Sequence, residues 1–244
     1  MEPVTRRDAL VRVVHGGAAF AAAPVLGAPA MQDAKPPTAP PRAYDGTHAI
    51  VPLPFDPKAL KGLSEKLLVS HHDNNYAGAV KRLNQIELEI AALPKDAPPF
   101  KLGSLKREEL IARNSMVLHE AYFGNLGGDG NTPVGGLFEL LQSRFGSLKA
   151  WDQEFRLTGK SLGGGSGWVV LGWDAHRGAV HHYWLFDHTH SPAGVVPLLV
   201  MDLFEHAYAM DYGANAASYI DAFFQNVNWG EVDRRLMAAT APTK

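Results

Sequence analysis

The chain contains no cysteine. That absence excludes disulfides, Cys-ligated zinc, Cys-ligated iron–sulfur clusters and covalent c-type haem. Any bound metal must be held by histidine, carboxylate or other oxygen ligands, and eleven histidines are available. An excess of charge is also missing: 23 Lys+Arg stand against 25 Asp+Glu, a net charge of −2. No basic surplus marks the chain for nucleic acid. There is no uninterrupted apolar run of about 18 residues, so no membrane span is expected. What remains is 244 residues, 46% hydrophobic, enough for one sizeable core or two small ones.

The first 31 residues read as an address. Thr5-Arg6-Arg7-Asp8-Ala9-Leu10 resembles a twin-arginine export signal, followed by an Ala/Gly-rich segment and a small-x-small site at Ala28-Pro29-Ala30. Residues 1–31 are therefore expected to be an export signal, with a periplasmic destination. That route carries folded proteins, so a metal could be inserted before export. Residues 32–49 begin with a proline-rich stretch that disfavours regular structure and reads as a tether. Folding is expected to start near Ile50.

Two textures follow. Over 50–134, SEKLLVSHHDNNYAGAVKRLNQIELEIAAL and LKREELIARNSMVLHEAYFGNL carry apolar residues at helical spacing, with prolines between them and Ser64 as a cap. They predict an antiparallel helical hairpin. Over 135–244, a helical LFELLQSRFGSLKAWDQEFRLTG leads into GSGWVVLGWD and AVHHYWLFD, two β-rich runs around a short AHRG turn. PLLVMDL is a third strand, and YIDAFFQNVNWGEVDRRL a final helix. The fold class is α+β: a helical hairpin, then a small three-stranded antiparallel sheet with surrounding helices.

Asp202 and His206 sit four residues apart at the end of the apolar run PLLVMDL. Burying an ionised group costs several kcal/mol unless it is paired or binds a metal. His71 lies in the first helix beside His72, and neighbours there point about 100° apart, so only one can face inward. His119 lies among Val117, Leu118, Tyr122 and Phe123 in the second helix. Each alone reads as an ordinary solvated or core histidine. Together they offer three imidazoles and one carboxylate, and a metal between the halves would bind all four.

At these residues the chain resembles the iron/manganese superoxide dismutases. PLLVMDLFEHAYAMDY is similar to the family's Asp-x-Trp-Glu-His-Ala-Tyr signature, and AFFQNVNWGEVDRRL to its downstream Val-Asn-Trp segment. GSGW at 165–168, ending in Trp168, and FGSLKAWDQEF at 145–155 also look like family segments, and the resemblance covers roughly 50–240. It implies His71, His119, Asp202 and His206 as ligands of one iron or manganese ion per subunit, with superoxide as substrate. It also implies a homodimer, in which Glu205 hydrogen-bonds the partner's ligand histidine.

The chain departs from the family around that centre. The family's gateway tyrosine falls on Ala79, and the histidine four beyond the first ligand falls on Asn75. The second tyrosine of the signature is Ala209, and its tryptophan is Phe204. Tyr76, one turn before Ala79, either replaces the lost phenol or packs in the core. The family's outer glutamine, which bonds the solvent ligand, comes from one of two positions. One is Ser115 here; the other falls on His188, with His190 as the fallback. Three readings follow: an exported superoxide dismutase, an exported iron- or manganese-binding protein with little turnover, and a mononuclear zinc hydrolase.

Overall fold

The computed structural model describes residues 43–241. The export signal expected over 1–31 lies outside the described residues. The first helix, α1 (Glu65–Ser70), begins where Ser64 accepts a hydrogen bond from the Leu67 N–H. It passes without a break through a wide π turn, His71–Tyr76, into α2 (Ala77–Ala92). α3 (Pro99–Gly124) has proline in its first turn, where the missing N–H costs nothing. Tyr76 meets Glu120 and Arg82 meets Glu108, so α3 runs antiparallel to the first helix. The expected hairpin is formed.

α4 (Gly135–Phe145) and α5 (Leu148–Ser161) lead to the sheet. Gly146, between them, has a left-handed φ of 81°, which glycine adopts without steric cost. Strands β1 (Trp168–Asp174), β2 (Ala179–Leu185) and β3 (Val195–Asp202) pair antiparallel in the order β2–β1–β3. In that register Trp168 stands between Leu185 and Asp202. The ends of all three strands are thus gathered at one edge. α6 (Ala209–Tyr212), α7 (Ala216–Phe224) and α8 (Trp229–Thr240) complete the chain. The single final helix expected over 219–236 is in fact two. α7 stops at Phe224, and Asn228 caps the next helix, its side chain accepting from the Glu231 N–H.

The regions expected at 50–134 and 135–244 share one core. Leu67, Leu68, Tyr122 and Phe123 from the hairpin pack in the same cluster as Trp168, Val200 and Phe223. Asn125, fully buried after α3, joins them: its Oδ1 accepts from the Val200 N–H and its carbonyl from the Asn228 N–H. Among the described residues no helix is long and apolar enough to cross a membrane.

The tether ends earlier than expected. Asn84 accepts from the His48 N–H and donates to the His48 carbonyl, both at 2.9 Å. Glu87 accepts from the Gly46 N–H at 3.1 Å and lies 2.9 Å from His48 Nε2. Residues 45–51 are therefore a strap pinned along α2, with side chains supplying the partners a strand would have.

The side chain of His182 on β2 is buried, its ring stacked 4.6 Å from Phe145, with Nδ1 3.0 Å from Glu154 Oε1. Burial pushes its pKa down, partly opposed by Glu154. The unfolded chain takes up this proton near pH 6.5 and the folded chain only at lower pH, so stability is full above about 6.5 and falls as pH drops. His182→Phe keeps the ring stack and removes the titration. It is expected to flatten the acid limb of unfolding free energy by up to about 1.4 kcal/mol per pH unit, measured in urea between about pH 4 and 6.5. An unchanged slope would assign the acid sensitivity to other groups.

Candidate metal centre

Four side chains from four segments converge. His71 opens the π turn, His119 lies in α3, Asp202 ends β3, and His206 sits in a single 3-10 turn, Glu205–Ala207. Their ligand atoms all lie within 4.8 Å of one another. The Asp202–His206 spacing is not helical: the chain leaves the strand at Asp202, and its Oδ1 accepts from the Phe204 N–H at 2.8 Å. That bond leaves Oδ2 for the centre. It stands 3.1 Å from His71 Nε2, 3.2 Å from His206 Nε2 and 3.6 Å from His119 Nε2.

Asp202, His71 and His119 are almost wholly inaccessible to solvent. Both ring nitrogens of His71 and the Nε2 of His119 have no hydrogen-bond partner. Orphaned nitrogens beside a buried carboxylate are costly as they stand. The His119 Nδ1–H donates to the Ser115 carbonyl at 2.7 Å, which leaves Nε2 as a lone pair aimed inward. Burial pushes His119 down to about 3 and lowers His71 as well. Burial alone would raise Asp202, but His206 and His71 hold it well below the usual carboxylate range. Neutral imidazoles and an ionised carboxylate are the forms that bind a metal. The four residues fit an iron or manganese ion: three nitrogens and one oxygen, with orphaned donors facing the centre.

The surrounding shell separates the two outer candidates, His188 and His190. His188 lines the open cavity above the centre together with His119 and His206. Trp168 Nε1–H donates to its Nδ1 at 3.1 Å, and Asn114 holds its carbonyl. Phe204 stacks between His188 and His206, with centroids at 4.5 and 5.3 Å. His190 turns away, its Nδ1 accepting from the Phe186 N–H beside a different groove. The fallback is therefore not placed to touch the centre. Trp168 and Asn114 position His188; only the first was legible, because the asparagine carries no motif.

Tyr76 is not where a substitute phenol would have to be. Its hydroxyl donates to Glu120 and accepts from the Val51 N–H, both at 2.9 Å, and it lines a separate groove. Residues three apart on a helix point about 60° apart, and here that angle divides two cavities. Ala79 and Asn75 line the one that leads to the ligands. Burial pushes Tyr76 up to about 12. Its ring packs 6.3 Å from His119 and Phe123, which is the core reading. Glu205 is exposed at the surface, next to a half-buried His206.

Residues 133–235 match a family model described as iron/manganese superoxide dismutases, C-terminal domain. The chain is 52% identical over 189 residues to an iron superoxide dismutase of Cupriavidus metallidurans, covering 77% of this chain and 95% of that one. It is 33% identical over 204 residues to an iron superoxide dismutase of Aquifex aeolicus, covering 80% and 94%. It is 29% identical over 195 residues to a manganese superoxide dismutase of Halobacterium salinarum, covering 79% and 96%. Relatives matched over nearly their whole length place this chain in the iron/manganese superoxide dismutase family.

Proposed function

We propose that the protein converts two superoxide ions and two protons into dioxygen and hydrogen peroxide. The observation that carries this reading is the buried cluster of His71, His119, Asp202 and His206, whose orphaned nitrogens face one point. A bound iron or manganese ion supplies one-electron redox chemistry between its divalent and trivalent states, which zinc cannot.

The chain's own residues do the rest. Asp202 and the three neutral imidazoles fix the ion with a single negative charge. The Ser115 carbonyl orients His119. Trp168 donates to His188 Nδ1, so the neutral ring carries its proton on Nε2, in an imidazole that lines the cavity. We assign His188 to hold and deliver a proton to the departing peroxide. Tyr76 has no part in that step, because its hydroxyl is spent on Glu120.

Two features support an exported homodimer. Glu205 is exposed beside His206, which supports a bond from it to the same histidine of a second copy. The paired arginines Arg6-Arg7 and the Ala28-Pro29-Ala30 site support the twin-arginine route to the periplasm. A second reading, metal binding with little turnover, draws on the absence of a phenol among the residues lining the cavity.

The test is to purify the mature chain, quantify its metal and follow superoxide decay with iron and manganese loaded separately. One ion per subunit with superoxide-dependent turnover in at least one form is expected. Stoichiometric metal without turnover in either form would select the binding protein. Light scattering on the same sample is expected to give twice the subunit mass.

A further inference from the structure

The cavity leading to the four ligands is an open space of about 400 Å³. Its wall includes Asn75, Ala79, Ser115 and His188, all short or neutral, and one permanent cation, Arg82 on α2. Gly78, one turn before Arg82, opens the same wall: a side chain added there would meet nothing within 4 Å. The Arg82 guanidinium reaches across to Glu108 on α3. Glu108 also accepts from Arg107 at 3.2 Å. Two guanidinium groups therefore share one carboxylate, and the cluster at the mouth keeps a net positive charge. The chain as a whole carries −2. An anion thus meets mild repulsion at a distance and attraction at this opening, where low-dielectric walls focus the field.

We infer that Arg82 is the specificity-determining residue that draws the small, singly charged anionic substrate into the cavity, with Glu108 holding its guanidinium at the rim. The inference rests on superoxide being the substrate. Arg82 does not reach the reacting atoms in this role; it sets how often the anion arrives and which charge is admitted. The sequence alone gave no sign of it, because one arginine on a charged helix face is ordinarily solvated.

The test uses the metal-loaded enzyme and the variants Arg82→Ala, Arg82→Lys and Glu108→Gln. Two quantities are read: kcat/KM for superoxide across ionic strength, and azide affinity by absorption titration. Arg82→Ala is expected to lower low-salt kcat/KM roughly three- to tenfold and to flatten its salt dependence, since screening leaves less field to lose. Azide should weaken by a similar factor, with metal content unchanged. Arg82→Lys should restore most of both. Glu108→Gln adds a positive charge to the mouth and should move both quantities the other way. A merely structural pair would slow both variants alike, and that result would overturn the proposal, as would a wild-type salt slope in Arg82→Ala. If the unmodified enzyme shows no superoxide turnover, the substrate reading fails, and the azide titration still decides the role of Arg82.

Discussion

Asp202→Asn is expected to leave the chain folded, nearly free of metal and inactive. The amide keeps the size and the Oδ1 bond to the Phe204 N–H but removes the only formal charge among the four ligands. Three imidazoles and a neutral amide hold a divalent ion far more weakly than three imidazoles and a carboxylate. Metal content should fall below about a tenth of wild type, and superoxide turnover by about 1,000-fold, the loss expected when a ligand charge is removed from a redox centre. Elemental analysis and superoxide decay measure the two. Stability separates this outcome from misfolding. Saturating metal at 1,000 times its dissociation constant adds about 4 kcal/mol to the folded state. That increment should be present in wild type and missing in the variant. The metal-free variant should still unfold in one cooperative transition, somewhat below metal-free wild type at neutral pH, because His206 and His71 favour the carboxylate in the folded state. A variant that keeps stoichiometric metal would remove Asp202 from the ligand set.

His188→Ala is expected to do the converse: to keep the metal and lose the rate. His188 touches none of the ligands through a hydrogen bond; its partners are Trp168, Asn114 and the face of Phe204. Removing it should leave about one ion per subunit. Turnover should fall by roughly 10- to 100-fold, the size found when a group orienting or feeding a metal site is deleted. The reduction potential should shift as well, since the imidazole lines the same cavity wall as His119 and His206. Trp168→Phe offers a graded comparison. It frees His188 Nδ1 and so releases the tautomer, and it should cost part of the rate with metal retained. Wholesale loss of metal in His188→Ala would instead make His188 part of the holding shell.

The four candidate ligands were legible only as a set, with the family resemblance joining His71 to the other three. Asp202 and His206 interrupt an apolar stretch, and His119 an apolar helix face, where a polar group needs a partner. The sheet was legible from alternation around the AHRG turn. Three features were not. The π turn leaves no mark on the letters HHDNNY, because its hold is tertiary: Tyr76 is tied to Glu120, 44 residues away, and to Val51. Residues 45–49 of the strap were read as tether, and the side chains of Asn84 and Glu87 give them order. The groove that Tyr76 faces was left open, because a one-turn spacing says nothing about which of two grooves a helix edge divides.

The π turn has a consequence for how this stretch tolerates change. Five residues there close nearly the same revolution that four close in an α-helix. The turn is therefore slack: one surplus residue, absorbed without disturbing Leu67 and Leu68 before it or Val80 and Leu83 after it. Shortening the chain by the exposed Asp73 would draw the slack in. His71 and Tyr76 would then stand four apart on a plain helix, facing almost as they do now. Elsewhere in the first helix the same deletion would swing every upstream side chain by about 100°. Length is thus negotiable at one place in the helix that carries the first ligand, and that place is beside the ligand itself.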